Sequence, residues 1–268
     1  MNDSFKKIKN DLKNGLYVCF SGMPCQVAGL KKYLSQEYDN LLTVDLVCHG
    51  VPSSQLWEKH LEDLKVKYKS DVESINFRSK IYGYQCGAMK IDFKNQKKYI
   101  ASSRIDPYMK SFLKNISLRE SCYVCKFKTI NHNSDLTLFD CWYPEELISN
   151  PKNDGYTSII VQTDKGRHLI NQLDKKLFLY NVDLKKMLPV NGGAIVKSAL
   201  RNSYRDNFYK NVETKDINYA VNQCYKITKS DFIVEKMKGI LQKLHVLELT
   251  IKLKIFVKKM RRRKFKNV

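Results

Sequence analysis

The amino-terminal quarter of the chain alternates short apolar runs with helical periodicity. Residues 1–15 predict a short helix that stops at Gly15. Residues 16–21 form an apolar run rich in aromatic and β-branched side chains and predict a buried strand. Gly22-Met23-Pro24 interrupts it, and a proline is well placed at a helix start. Val27, Leu30 and Leu34 then recur on one helical face. Residues 41–47 predict a second apolar strand, ended by the turn Cys48-His49-Gly50-Val51-Pro52. Ser53 or Ser54 caps the next helix, which carries Leu56, Trp57, His60, Leu61 and Leu64 on one side. Strand–helix–strand–helix is the order of a parallel α/β unit with right-handed crossovers.

Further along, residues 72–77 predict a third strand, and 83–100 a hairpin whose strands 88–93 and 98–100 flank the polar turn Lys94-Asn95-Gln96. Helices are expected over 107–118, 165–177 and near 232–245, with strands over 135–139 and 158–162. The remaining positions after 180 carry no sharp period. The expected class is α/β: a mainly parallel sheet with flanking helices, a β-hairpin insertion and a basic C-terminal tail. Residues 1–180 are expected to form the α/β domain, 181–250 its mixed or helical extension, and 251–268 the tail.

Composition narrows the function classes. A hydrophobic fraction of 43% and an aromatic fraction of 11% describe a folded chain. No apolar run reaches the length of a membrane span. The lysine-rich start has no apolar segment behind it, so a cytoplasmic location is expected. Thiols there stay reduced, and eight cysteines are better explained by metal or redox chemistry than by disulfides. The net charge is +21, and residues 250–268 hold nine Lys/Arg and no Asp/Glu. A basic chain suits anionic partners. For the tail, a solvated end is the favoured reading. A basic amphipathic segment on the anionic inner face of a membrane, with Ile255, Phe256 and Val257 dipping in, comes second, and nucleic acid is the weakest.

The chemistry concentrates in the cysteines. Cys122-x2-Cys125 lets two thiolates reach one metal or cluster, a spacing shared by zinc sites, iron–sulfur sites and redox dithiols. Cys25 and Cys48 each lie in a Pro/Gly-containing turn just after a predicted strand, the edge of an open α/β sheet where sites are built. If the two strands are adjacent, their loops converge and complete a four-cysteine set. The competing reading makes Cys25 and Cys48 small buried hydrophobes. Cys19, inside the first strand, reads as core, and Cys86, Cys141 and Cys224 as structural. Zinc sites usually draw on two close pairs, whereas this chain has one pair and two single thiols, which suits a cluster better. Arg78 and Lys80 are candidates for a cofactor phosphate, with a solvated surface as the equal alternative. Ser134 and Asp135 are candidates for a ribose or flavin edge, or for a turn cap. No Gly-x-Gly-x-x-Gly fingerprint is present.

Five motifs occur in order: Ser21-Gly22-Met23-Pro24-Cys25-Gln26-Val27-Ala28-Gly29-Leu30, Asp45-Leu46-Val47-Cys48-His49-Gly50-Val51-Pro52-Ser53, Phe77-Arg78-Ser79-Lys80, Ser121-Cys122-Tyr123-Val124-Cys125-Lys126-Phe127 and Ser134-Asp135-Leu136-Thr137-Leu138. Together, over roughly residues 10–175, they resemble the coenzyme F420 hydrogenase/dehydrogenase beta-subunit family, in particular its C-terminal domain. The resemblance implies an iron–sulfur flavoprotein, with a [4Fe-4S] cluster on Cys25, Cys48, Cys122 and Cys125. It also implies FAD, for which the candidate cofactor-binding residues are Ser21, Gly22, Arg78, Lys80, Ser134 and Asp135. Many bacterial relatives lie in polysaccharide gene clusters. Relatives commonly begin with a ferredoxin-like segment bearing two cysteine runs. This chain has none, so the expected electron partner is a ferredoxin-like protein or the missing N-terminal half. The family's Ala-Asp-Phe-Trp-Gly reads Phe139-Asp140-Cys141-Trp142-Tyr143 here. Two alternatives stand beside the oxidoreductase: a zinc-stabilised, non-catalytic basic binding module, and a truncated inactive relative.

Overall fold

The computed structural model describes residues 2–82, 87–149, 151, 155–173, 176–244 and 246. Cys86, the start of the expected hairpin and the basic tail lie outside these. The chain forms two compact units, each discontinuous in sequence: residues 1–50 with 121–199, and residues 51–120 with 200–268. It opens in the first unit with α1 (Asn2–Lys13), β1 (Val18–Gly22), α2 (Pro24–Leu34) and β2 (Leu41–Leu46). It supplies α3 (Ser54–Tyr68), β3 (Val72–Ser79), β4 (Ala88–Phe93), β5 (Lys98–Ser102) and α4 (Pro107–Leu113) to the second. It returns through α5 (Glu120–Tyr123) to β6 (Leu136–Asp140), β7 (Thr157–Val161), α6 (Asp164–Leu173), α7 (Leu184–Asn191) and α8 (Gly193–Val196). The second unit ends with α9 (Arg205–Thr214), α10 (Ile217–Cys224) and α11 (Lys229–Lys243).

The α/β expectation is met. In the first unit the sheet order is β1-β2-β6-β7, with β1, β2 and β6 parallel and β7 antiparallel to β6. Gly22 pairs with Asp45, and Asp45 with Thr137, so β1 and β2 end level with each other. Leu41, Thr43 and Asp45 alternate into the interior. Leu12, Leu30, Leu34 and Leu41 are buried together against Phe5, Val18 and Phe20, which seats α1 and α2 on one face of the sheet. The opposite side of β1 is open. Cys19, expected in the core, is exposed, because Val18 and Phe20 on either side of it turn to the α1 and α2 face and leave Cys19 on the other, where it borders a groove with Leu42, His168 and Leu169.

The expected third strand does not join this sheet. It is β3, paired antiparallel to β4 in a separate sheet of order β3-β4-β5. An isolated hairpin is marginal in water, and a third strand plus a covering helix stabilises it. Met89, Ile91 and Phe93 of β4 are fully buried, and α3 covers them with Leu61, Leu64 and Tyr68. The Tyr68 and Phe93 rings stack at 4.5 Å. Asp106, fully buried, caps α4 by accepting the Met109 N–H at 2.6 Å, and also accepts the Tyr99 hydroxyl at 2.6 Å. His60 Nε2 lies 3.1 Å from the same carboxylate. Helix α4 stops at Leu113, short of the expected 118, because the chain turns through a left-handed Asn115 to bury Ile116 and Leu118.

Beyond 180 the described residues form five helices joined by short loops, α7 to α11. Ile217, Ala220 and Val221 of α10 and Phe208 of α9 pack with Leu56 and Ile116. Their helices are too short to print a clear period. Helix α11 is inverted relative to the usual rule that a surface helix turns its apolar stripe inward. Glu235 is buried and accepts the Ser102 N–H and hydroxyl, each at 2.7 Å, while Asp231 meets Arg104 at 3.1 Å.

One close approach fixes α6 on the first sheet. A Cβ on Gly166 would lie 2.3 Å from the Asp135 carbonyl oxygen and 3.0 Å from Leu136 Cδ2. Gly166→Ala should therefore destabilise the protein by about 2 kcal/mol, the order of an overpacked core site. A lowered urea midpoint would register this, and an unchanged midpoint would contradict the packing.

Candidate functional site

Parallel pairing of β1 with β2 sends the two following loops out of the same sheet edge. Cys25 stands on the first turn of α2. There Pro24 occupies the helix start, and the Gln26 side chain accepts the Met23 N–H at 2.8 Å. Cys48 follows β2 by two residues. Its loop is held by Lys128, whose ammonium donates to the Cys48 carbonyl and, at 2.5 Å, to the Ala194 carbonyl of α8. Cys122 lies in the single turn of α5, and Cys125 follows it, with its N–H donated to Ser198 Oγ at 3.2 Å.

Two of these four thiols, Cys25 and Cys48, are raised in part by others of the set. Partial burial pushes the Cys25 thiol up, Cys125 and then Cys122 push it further, and the N–H groups of Cys25 and Gln26 oppose the rise. Burial likewise pushes Cys48 up, with Cys122 and Cys25 adding to it, against the Gly50 N–H and the Lys128 charge. A thiol is raised by its neighbours only when it shares their space. Cys122 and Cys125 thus act on Cys25, and Cys122 and Cys25 on Cys48, all within the first unit. Among the described residues no three His, Cys, Asp or Glu side chains converge closely enough to hold a single ion.

The other candidates separate. Ser21 is exposed at the end of β1, and Gly22 is buried beside it. Arg78 and Lys80 are exposed and belong to the second unit. Ser134 and Asp135 are buried. Asp135 accepts the Thr43 N–H and hydroxyl, each at 2.7 Å, and the Thr163 hydroxyl at 2.7 Å. Burial alone would raise its pKa, but the hydrogen bonds from Thr163 and Thr43 hold it below the usual carboxylate range. Tyr143, in place of the family's glycine, has φ of −132°, a conformation open to any residue.

Sequence reasoning missed Lys128, Ser198 and a buried pair beneath the sheet edge. His132 Nδ1 lies 2.9 Å from Asp45 Oδ2 and 3.1 Å from Thr137 Oγ1. A carboxylate only accepts, so Nδ1 is the donor in this contact. The other ring nitrogen, Nε2, is buried and has no partner among the described residues. The available signal was Asp45 itself, a carboxylate inside an apolar strand that requires a buried donor.

The family model that describes the C terminus of the coenzyme F420 hydrogenase/dehydrogenase beta subunit matches residues 16–186. Comparison with curated proteins gives no match.

Asp135 yields a pH test. Its folded-state pKa is depressed, so its contribution to stability is present above the unfolded carboxylate value and is lost as pH falls through the depressed one. Asp135→Asn keeps one acceptor oxygen but sets an amide donor against either the Thr43 or the Thr163 donors, and should cost about 2–3 kcal/mol at neutral pH. The gap between variant and parent should narrow on acidification. Urea unfolding at neutral and acidic pH measures both, and a pH-independent gap would contradict the assignment.

Proposed function

The chain belongs to the coenzyme F420 hydrogenase/dehydrogenase beta-subunit family, a redox family, through its C-terminal domain, and from that premise we propose that it is an electron-transfer protein holding a [4Fe-4S] cluster on Cys25, Cys48, Cys122 and Cys125. The observation that carries the reading is that Cys25 and Cys48 follow adjacent parallel strands out of one sheet edge, with Cys122 and Cys125 near enough to act on Cys25 and Cys122 near enough to act on Cys48. The chemistry of the donor set fits: four thiolates are the usual ligands of a cubane cluster. Such a cluster supplies a one-electron redox centre. Zinc is the less favoured occupant. It binds tetrahedrally with Zn–S near ~2.3 Å, a tighter convergence than four thiolates each on a separate iron. The described side chains do not converge that closely.

The surrounding residues have definable work in this reading. Lys128 ties the Cys48 loop to α8 and places a positive charge beside a thiolate-rich site. The N–H groups of Gln26 and Gly50 favour the thiolate forms of Cys25 and Cys48. Hydrogen bonds and charge around the sulfurs are the protein's means of setting a cluster's potential.

The residues expected to hold FAD do not fit it as a set. Ser134 and Asp135 are buried, and the Asp135 carboxylate is committed to Thr43 and Thr163. The reading therefore stops at the cluster, with a ferredoxin-like protein as its expected electron partner.

Anaerobically purified protein should be brown, absorb broadly near ~400 nm and carry about four irons per chain, as a four-thiolate cubane requires. Cys122→Ser should lose most of that iron while the fold, followed by circular dichroism, persists. A colourless protein with one zinc per chain, or full iron retention in Cys122→Ser, would overturn the proposal.

A further inference from the structure

Helix α11 faces the wrong way for a helix whose only role is to close its own unit. Asp231, Glu235 and Lys238, spaced four and three apart, point inward to Arg104, Ser102 and the Tyr82 ring. The opposite side carries Ile233, Met237, Ile240 and Leu244, at intervals of four, three and four, which is one helical stripe. These four side chains are 58%, 53%, 57% and 63% exposed. Phe232, at 50%, flanks them. Scattered exposed apolar residues are ordinary, but a contiguous stripe marks a contact surface. On the inner side the buried Glu235 accepts the Ser102 N–H and hydroxyl, so the helix turns a carboxylate rather than its stripe toward its own unit.

Charge identifies what the stripe meets. Lys229, Lys236 and Lys243, all exposed and seven residues apart, line one border of it. The sequence beyond, 250–268, adds nine Lys/Arg and no acidic residue. A second copy of the helix would bring lysine borders together, and the chain's own basic segment would meet the same repulsion. An anionic bilayer suits both features: apolar side chains enter the acyl boundary while lysine ammonium groups reach anionic headgroups. Each basic residue held near such a surface adds to the attraction. Among the described residues no helix is long and apolar enough to cross a membrane, so the contact is with the surface.

We propose that the outward stripe of α11, Ile233, Met237, Ile240 and Leu244 with its border of Lys229, Lys236 and Lys243, docks the protein on an anionic lipid bilayer. The proposal is independent of what the cysteines hold. Co-sedimentation of the full chain with vesicles tests it. Binding is expected to phosphatidylcholine vesicles containing phosphatidylglycerol and not to phosphatidylcholine alone. The triple variant Ile233→Ser, Met237→Ser, Ile240→Ser keeps every basic residue and should bind at least about tenfold more weakly, given the apolar area removed. Ile240→Trp should shift its fluorescence to the blue when anionic vesicles are added, which reads the same contact in a variant that preserves the stripe. The proposal is overturned by equal binding of the triple serine variant, by absence of binding to anionic vesicles, or by an unshifted emission spectrum of the tryptophan variant. A lipid-free dimer that the serine substitutions dissolve would overturn it too, by assigning the stripe to a second copy.

Discussion

Asp135 receives three hydrogen bonds, from the Thr43 N–H, the Thr43 hydroxyl and the Thr163 hydroxyl, and through them joins β2, the start of β6 and the segment that leads into α6. The backbone adds to this clamp, since the Asp135 N–H donates to the Thr43 carbonyl and the Gln162 N–H to the Asp135 carbonyl. A buried carboxylate with its acceptor capacity filled is stable, and one with missing donors is costly. The register of β6 on β2 is thereby tied to a specific pair of residues. Gly166 brings α6 against the same carbonyl and leaves no room for a side chain.

That clamp governs the candidate centre indirectly. It holds β2 in place, β2 holds the Cys48 loop, and parallel pairing with β1 brings Cys25 out at the same edge. Lys128 then draws the Cys48 carbonyl and α8 together, and Ser198 receives the Cys125 N–H. The His132–Asp45 pair lies under the same strand end and places a buried Nε2, unpaired among the described residues, in the first unit. Such an atom calls for a bound water or ligand group as its partner. The thiols rest on sheet geometry, while their electrostatics are adjusted by residues far away in sequence.

Much of this is legible in the sequence, for identifiable reasons. The strand–helix–strand–helix start is written in local apolar periods, and turn chemistry after the first two strands singles out Cys25 and Cys48. The two strands are neighbours, so the loops that carry Cys25 and Cys48 leave the same sheet edge. Other features depend on long-range partners that no local pattern records. The third strand carries a plausible β pattern, yet its pairing is decided by the hairpin's need for cover. Cys19 lies in an apolar run but is exposed, because its neighbours Val18 and Phe20 take the face of β1 that α1 and α2 cover. Asp135 sits in a family motif that suggests cofactor contact, and its role in the structure comes from Thr43, ninety-two positions away. Local composition locates helix α11, but its inverted orientation follows from Ser102 and Arg104, which the local period cannot encode.

The central claim concerns four thiols and what they hold together. Electron paramagnetic resonance of the anaerobically purified protein, before and after reduction with dithionite, addresses it without reference to substrate or partner. A [4Fe-4S] cluster on these four cysteines predicts a silent oxidised sample and a reduced sample with a fast-relaxing S = 1/2 signal, visible only at cryogenic temperature. A chain that stays silent after reduction while holding stoichiometric zinc would contradict the account.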